Sequence, residues 1–551
     1  MGDKVEAVEM QSIPPERTSS QSRRSIQKVD ALATLPTHHS DEQPMLKEND
    51  LKRGLKARHL SMISIAGTIG TGLFLASGKS IANAGPLGAL IAYISIGSMV
   101  FFLMTSLGEM ATLIPTAGSF NTYAARFIDP SLGFALGVNY FLNWAVTVAV
   151  EIVAAAMIIQ FWVPEDVVPG WVWSLLILAI MVVLNFLSVQ AYGESEYWFS
   201  IVKILTVVIF ICVGIAVVAG AFGGPVLGFT NWTIPGAPIH NGFGGILSVF
   251  LVAGFSFQGT ELIGIAAGES KNPRKNVPRA IKQVFWRILL FYVMSIFIMG
   301  LCIPWNSPDL LDAANSENVA VSPFTLVLQQ AFAPAAHIMN AVILITVLSA
   351  GNSGMYASTR TLYMLARDGK APAIFGRANN RGIPVWALLA TTTVAGIAWG
   401  FSLLGEGQVY DWLLNISSIS GFIAWLGIAA SHLRFRKAYV AQGGDVSRLP
   451  YRAAFYPWGP IYAFILCTIV IIGQGYSEFT SDNPNWVNLV ATYIGLPVFF
   501  ALWGGYKLYY KTKVVPLMEC DFSVSNLEDG DIDEFQELYA PEKNQVDDKC
   551  Q

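Results

Sequence analysis

Charge is scarce in this sequence, and it is unevenly spread. Only 13% of the 551 residues are Asp, Glu, Lys or Arg, against about 25% in an ordinary soluble domain. Residues 1–58 hold 19 of the 72 and residues 514–551 hold 13, which leaves the 455 residues between them roughly 9% charged. No water-soluble core accounts for a depletion of that length. A basic footprint is missing as well: the net charge of −4 argues against a nucleic-acid binder. The five cysteines, at positions 212, 302, 467, 520 and 550, have neither metal-ligand nor disulfide-framework spacing. No nucleotide motif is present, and His and Cys supply no nucleophile–base or metal cluster inside the apolar segments. An enzyme is therefore not expected, nor a cofactor. Residues 1–50 are polar and lack an early apolar run, so no cleaved signal peptide is read there. The first apolar stretch then acts as an uncleaved membrane signal. Both tails, 1–50 and the acidic 514–551, read as solvated disorder; trafficking machinery is the partner their lysines and acidic patches would suit.

Apolar residues are what the chain has in excess, at 53%. A helix needs about 20 mostly apolar residues to span a bilayer. Twelve segments qualify: 58–82, 86–113, 132–162, 170–190, 193–222, 242–267, 281–303, 322–366, 384–404, 408–433, 457–475 and 485–509. They are continuously apolar rather than alternating, which argues against a β-barrel. The fold class is an all-α polytopic membrane protein with 12 transmembrane helices. The eighth segment is too long for one crossing, so its C-terminal part is expected to project into the cytosol. Basic residues set the orientation. Lys52, Arg53, Lys56 and Arg58 precede span 1; Lys271, Arg274, Lys275, Arg279 and Lys282 follow span 6; Arg367 and Lys370 follow span 8; Arg434, Arg436 and Lys437 follow span 10. The alternate loops 163–169, 223–241, 304–321, 405–407 and 476–484 contain no Lys or Arg, and Lys79 is the lone exception on that side. Both termini are thus expected in the cytoplasm. Asn231-Trp232-Thr233 is a glycosylation sequon on the outer side, close enough to the membrane that occupied and empty states both stay open.

Two spans carry glycine interruptions at similar depth. Span 1 contains Gly67-Thr68-Ile69-Gly70-Thr71-Gly72, and span 6 contains Gly254-Phe255-Ser256-Phe257-Gln258-Gly259. Unwound backbone inside a membrane survives only where protein buries it or a cavity hydrates it. A matched pair five spans apart points to a midplane site in an inverted-repeat transporter. The alternative is close helix packing through small residues. Such a site suits a zwitterion. The half-helix resuming after Gly70 presents free N–H groups and a positive dipole end to a carboxylate, while freed carbonyls accept from an α-ammonium. The Phe255 ring is placed to close over the bound molecule.

Ionisable residues inside spans are costly, about 2.5–3.5 kcal/mol each on insertion scales, so each is a functional candidate. Glu151 lies mid-span 3, as a contact for a cationic side chain or as part of a structural pair. Lys203 lies in span 5, as a fixed or titrating cation or as half of a buried pair. Glu261 follows the break in span 6, as a proton acceptor or as a tie to neighbouring helices. Glu109 and Arg360 read as interface or gate residues, and His337 as a packing residue.

Long motifs then carry a resemblance. Leu55-Lys56-Ala57-Arg58-His59 leading into GTIGTGLF, Asn83-Ala84-Gly85-Pro86, Ser106-Leu107-Gly108-Glu109-Met110-Ala111, Ile114-Pro115, and SFQGTELIGIAAGESKNPRKNVPRAI over 256–281 resemble the fungal amino-acid permeases. These are the yeast amino acid transporter branch of the amino acid–polyamine–organocation superfamily. The likeness spans about 50–512. It implies a 5+5 inverted repeat with discontinuous helices 1 and 6, the repeats being 51–222 and 242–433, plus helices 11 and 12 over 457–511. It also implies proton-driven uptake at the plasma membrane. Thr71 and Gly72 match positions that bind the substrate carboxylate; Thr68, Phe255 and Gln258 match positions whose carbonyls receive the ammonium. Lys203 matches a lysine that replaces a sodium ion in proton-coupled relatives. The stretch Asn143 to Glu151 most resembles the basic amino-acid (lysine/arginine) permeases. Asn143 and Ser417 are similar to lysine-preferring members, where arginine-preferring ones tend to carry Ser and Thr. The resemblance thus implies L-lysine as substrate, with L-arginine next, and protons as the coupling ion. A broader-range permease, or a non-transporting amino-acid sensor on the same scaffold, is the alternative.

Overall fold

Proline and a side-chain cap fix where several helices start. In a computed structural model, the residues described are 58, 62, 69–116, 118–187, 189–267, 270, 272–315, 322–332, 334–404, 406–480 and 486–523. Thr68 and the preceding part of span 1 lie outside the described residues. Helix α1 is Thr71–Phe74 and α2 is Ser77–Leu113. Within α2, Gly85 adopts φ 72°, and a Cβ there would sit 2.7 Å from the Pro238 carbonyl oxygen. Only glycine meets both conditions, so Gly85-Pro86 forms the corner at which span 1 turns into span 2. A short helix that sequence reasoning missed follows, α3 (Ser119–Phe127). Asp129 then caps α4 (Pro130–Ile159), accepting from Ser131 N at 2.9 Å, with Pro130 in the first turn. Pro suits that turn because its missing N–H is not needed there. Asn272 and Ser322 open later helices by the same device.

The chain continues through α5 (Gly170–Leu187), α6 (Val189–Val218), α7 (Gly242–Phe257), α8 (Leu262–Ala267) and α9 (Pro273–Arg287). A π-helical turn, Ile288–Val293, joins α9 to α10 (Met294–Cys302). The overlong eighth segment is divided near its N-terminal end, where α11 (Pro323–Ala331) stands apart from α12 (Ala335–Arg367). Phe332 is extended at φ −155°, and Pro334, two residues on, is the N-cap of α12; a proline there supplies no N–H with which to continue the preceding helix. Helix α12 has 33 residues, about 50 Å at 1.5 Å each, so it still outruns the bilayer. The last elements are α13 (Val385–Gly400), α14 (Glu406–Ala441), α15 (Trp458–Gly473), α16 (Trp486–Tyr493) and α17 (Gly495–Tyr510).

Among the described residues no strand occurs, and ten helices are long and apolar enough to cross a membrane, with Trp458–Gly473 an eleventh, shorter apolar one. Burial sorts them. In the most apolar 18-residue stretch of α4 and of Gly242–Ala267, 83% lies buried, whereas in that of Trp486–Tyr510 11% does. Spans 3 and 6 therefore sit inside, where polar groups find partners, and span 12 presents apolar side chains to lipid.

The segment after span 12 is more ordered than a solvated tail. Val515 N donates to Ile128 O at 2.9 Å, Gln442 Nε2 donates to the Leu517 and Cys520 carbonyls, each at 2.9 Å, and Phe522 packs on Phe127, Phe435 and Tyr439. Its apolar residues Val515, Leu517 and Phe522 supply the reason. Cys520 is consequently buried, which removes it as an accessible juxtamembrane thiol. Asn231 of the sequon is buried likewise, and its Nδ2 donates to Leu301 O at 2.7 Å.

Candidate functional site

Both glycine stretches unwind, and they meet. Gly70 is non-helical at φ −137°, ψ −146°, and the helix resumes at Thr71. In span 6, α7 ends at Phe257; Gln258 turns extended at ψ 145°, Gly259 takes φ 88°, and α8 starts at Leu262. A Cβ on Gly72 would lie 2.7 Å from the Ser256 Cα, so the two breaks touch backbone to backbone. The glycines are needed for this approach.

Beside the contact lies a small, partly open cavity. Gly70, Gly72, Glu151, Phe255 and Gln258, which the sequence singles out, line it together with Trp144, Thr147, Ser256 and Ala350, which it does not. Glu151 is 2% exposed. Its Oε1 accepts from Thr71 Oγ1 at 3.1 Å, whereas its Oε2 has no hydrogen-bond partner. Buried carboxylate oxygens without partners are rare because water is lost and nothing replaces it. The arrangement is therefore ready for a donor.

Asn143, about two turns before Glu151 on α4, meets Ser417. Ser417 Oγ lies 2.9 Å from Asn143 Oδ1, 3.1 Å from Gln258 Oε1 and 2.7 Å from Thr147 Oγ1. One hydroxyl proton serves one amide oxygen at a time, so this group can re-pair when a new polar partner enters. Asn143 Nδ2 is buried with no partner, a second vacancy, of donor type. Thr71, the first residue of the resumed helix, points its hydroxyl to Glu151, so it links the first break to the acidic residue.

Lys203 is fully buried on α6, within electrostatic reach of Glu196, Glu151 and Arg287. The sequence reading passed over Glu196 and Arg287, because each lies near the end of an apolar run and reads there as a flanking charge. Glu196 is in fact fully buried, accepting from Ser349 Oγ at 2.7 Å and Asn352 Nδ2 at 3.2 Å. Arg287 is 1% exposed and donates to Tyr292 OH at 3.1 Å, just where the π-turn begins. Glu261 stands apart from the cavity wall. Its Oε1 accepts from Tyr140 OH at 3.0 Å, its Oε2 from Trp425 Nε1 at 3.1 Å, and Gly259 N reaches both at 3.1 Å. It ties the second break to α4 and α14. Glu109 is buried against Arg436, with Ala453 N at 2.6 Å and His432 Nε2 at 3.3 Å. His337 packs on Phe161 and accepts from Trp162. Among the described residues no His, Cys, Asp and Glu group is arranged to hold a metal.

Two interrupted helices, packed break to break inside a multi-span helical membrane protein, define a carrier of the discontinuous-helix class. The chain belongs to the amino acid permease family, whose family model matches residues 59–517; such proteins are membrane transporters rather than enzymes. It is 56% identical over 474 residues to the lysine-specific permease LysP of Escherichia coli, covering 86% of this chain and 96% of that one. It is 52% identical over 483 residues to LysP of Lactococcus lactis, covering 86% and 94%. To the lysine-specific permease of Saccharomyces cerevisiae it is 39% identical over 506 residues, covering 90% and 80%. The resemblance read from the motifs thus extends beyond the fungal branch to bacterial permeases.

Proposed function

We propose that this chain is a secondary active transporter importing cationic L-amino acids, lysine foremost, by proton symport across the plasma membrane, with both termini cytoplasmic. The observation that carries this reading is the unpartnered Oε2 of Glu151 in the wall of a cavity at two helix breaks. An α-amino acid needs a donor set for its carboxylate and an acceptor set for its ammonium, and broken helices supply both. A second ammonium then needs a buried anion, which Glu151 supplies. The names of three relatives, each a lysine-specific permease, agree with this chemistry.

In the mechanism we favour, the substrate carboxylate rests on Thr71 and Gly72, its α-ammonium on the Phe255 and Gln258 carbonyls with Thr68 opposite, and its side-chain ammonium on Glu151, near Asn143 and Ser417. Lys203 and Glu261 are the groups proposed to couple the proton. The repeats 51–222 and 242–433 rock against each other around this point. Lysine with one proton moves two charges inward, so each 100 mV of potential contributes about 4.6 kcal/mol. No nucleotide is needed.

The test is uptake of labelled lysine into vesicles holding the purified full chain, with unlabelled amino acids as competitors at two pH values. Lysine is expected to compete best, arginine next, and uptake to rise with an inward proton gradient. Binding without accumulation would instead mark a sensor; equal competition by neutral amino acids would remove the cationic preference.

A further inference from the structure

On the side that the proposed orientation places outside, five loops (163–169, 223–241, 304–321, 405–407 and 476–484) carry Glu165, Asp166, Asp309, Asp312, Glu317, Glu406, Glu478 and Asp482 and no Lys or Arg. A surface of one sign raises the local concentration of the opposite charge and speeds its capture. A lysine placed in that field works against the capture of a cation. One is nevertheless there: Lys79, on the helical stretch that follows the first break. Its Nζ contacts both carboxylate oxygens of Asp411, at 2.7 and 2.9 Å. Asp411 stands near the start of α14, and the pair joins span 1 to span 10. It is not sealed from water, since the side chains are 21% and 48% exposed.

The neighbour of Asp411 leads inward. Tyr410 is 4% exposed, and its ring oxygen lies within electrostatic reach of both Asp411 and Glu151. Two carboxylates thus stand in series, one half-exposed and one buried. The outer one is occupied by a primary ammonium on an alkyl chain, the same group that the proposed substrate carries on its side chain.

Resting on the function proposed above, we propose that Asp411 is an outer recognition station for the substrate's side-chain ammonium, and that Lys79 is a tethered stand-in which the arriving cation displaces. Displacement releases the outer half of span 1 from span 10, and so opens the way to the cavity. A neutral amino acid offers only its α-ammonium, whose adjoining carboxylate Asp411 repels, so it displaces Lys79 less well than a side-chain ammonium set apart from any carboxylate. The pair therefore acts in selecting the substrate class and not merely in holding two helices together.

The two roles differ in sign. If the pair is only a tie, Lys79→Gln and Asp411→Asn break the same contact and shift the KM for lysine in the same direction. On our proposal they shift it oppositely. Lys79→Gln removes the competitor and lowers KM, by up to about fivefold for a partly exposed pair; Asp411→Asn removes the station and raises it. The double variant follows Asp411→Asn alone. The measurement is labelled-lysine uptake in vesicles containing each full-length variant, normalised to inserted protein. Shifts of the same sign, or no shift with Lys79→Gln, overturn the proposal. Should Asp411→Asn fail to fold, a lowered KM in Lys79→Gln supports the station and an unchanged or raised one refutes it. A parent chain that takes up no lysine refutes the function reading instead, so the two failures are distinguishable.

Discussion

Replacing Glu151 by Gln tests the centre of the proposed site with little change of shape. The amide oxygen, placed at Oε1, keeps the 3.1 Å hydrogen bond from Thr71 Oγ1. The amide NH2 then takes the position of the unpartnered Oε2, where it faces an incoming ammonium with a donor instead of an acceptor. A hydrogen bond involving a charged group contributes about 1.5–3 kcal/mol, which at about 1.36 kcal/mol per tenfold converts to a rise in KM for lysine of roughly 10- to 150-fold. Folding is not expected to suffer. An uncompensated carboxylate in the membrane interior is itself costly, so the variant should melt in detergent no lower than the parent. The assay is labelled-lysine uptake into vesicles at fixed membrane potential, with KM read from saturation and the inserted protein quantified. A variant that accumulates lysine with the parent's KM would show that Glu151 does not receive the side chain, and the substrate assignment would go with it.

Three further outcomes are expected. Gly72→Ala places a Cβ 2.7 Å from Ser256 Cα; backbone cannot give way as a flexible side chain can, so overpacking of about 1–3 kcal/mol should part the two breaks, abolish uptake and lower the melting temperature. Glu109→Gln strips the carboxylate from a fully buried site shared with Arg436 and Ala453 N, leaving Arg436 short of its counter-ion; breaking such a pair costs about 3–5 kcal/mol, read as a large drop in detergent melting temperature. At Asp129, burial pushes the carboxyl up, but hydrogen bonds from Lys507, Ser131 and Thr512 outweigh it and hold the group below its usual range. A depressed folded pKa stabilises above the unfolded value of about 3.9 and is lost as pH falls through the folded one. Asp129→Asn, which keeps a good helix cap, should therefore lower stability by at most about 1 kcal/mol at neutral pH, and parent and variant should converge in acid.

The parts of this molecule that were legible in the sequence are those where local chemistry has few alternatives. A run of apolar residues as long as a bilayer is thick must be a span, and two glycine-rich interruptions at matched depth must be accommodated by something other than lipid. Glu151 stood out because it has apolar neighbours on both sides in sequence. Glu196 and Arg287 did not, since each stands near a polar flank of its span; their burial comes from helices distant in sequence, α12 against Glu196 and α2 against α9, which no window along the chain reports. The corner at Gly85 was readable as Gly-Pro, but its carbonyl neighbour, Pro238, lies more than 150 residues on. The ordered segment after span 12 was hidden for a related reason: a few apolar residues followed by acidic ones look like tail, and only the groove between α3 and α14 makes them structure.

The same contrast bears on how the site works. Four buried charges are linked through Lys203, which lies within electrostatic reach of the acids Glu151 and Glu196 and of the cation Arg287. Without a ligand they balance. Glu196 has Ser349 and Asn352 as partners, and Arg287 has Tyr292. Glu151 is the member with an oxygen left over, and it alone of the four lines the cavity. A neutral zwitterion entering would leave that oxygen unsatisfied at a cost of about 1–3 kcal/mol, whereas a dibasic one satisfies it. Selectivity of this kind needs no clash against neutral amino acids; it follows from an acceptor that a second cationic group on the substrate satisfies, and satisfying that acceptor from the protein instead, through polar mutation of Ala350 to a residue that donates to Oε2, should cost the carrier its preference for cations.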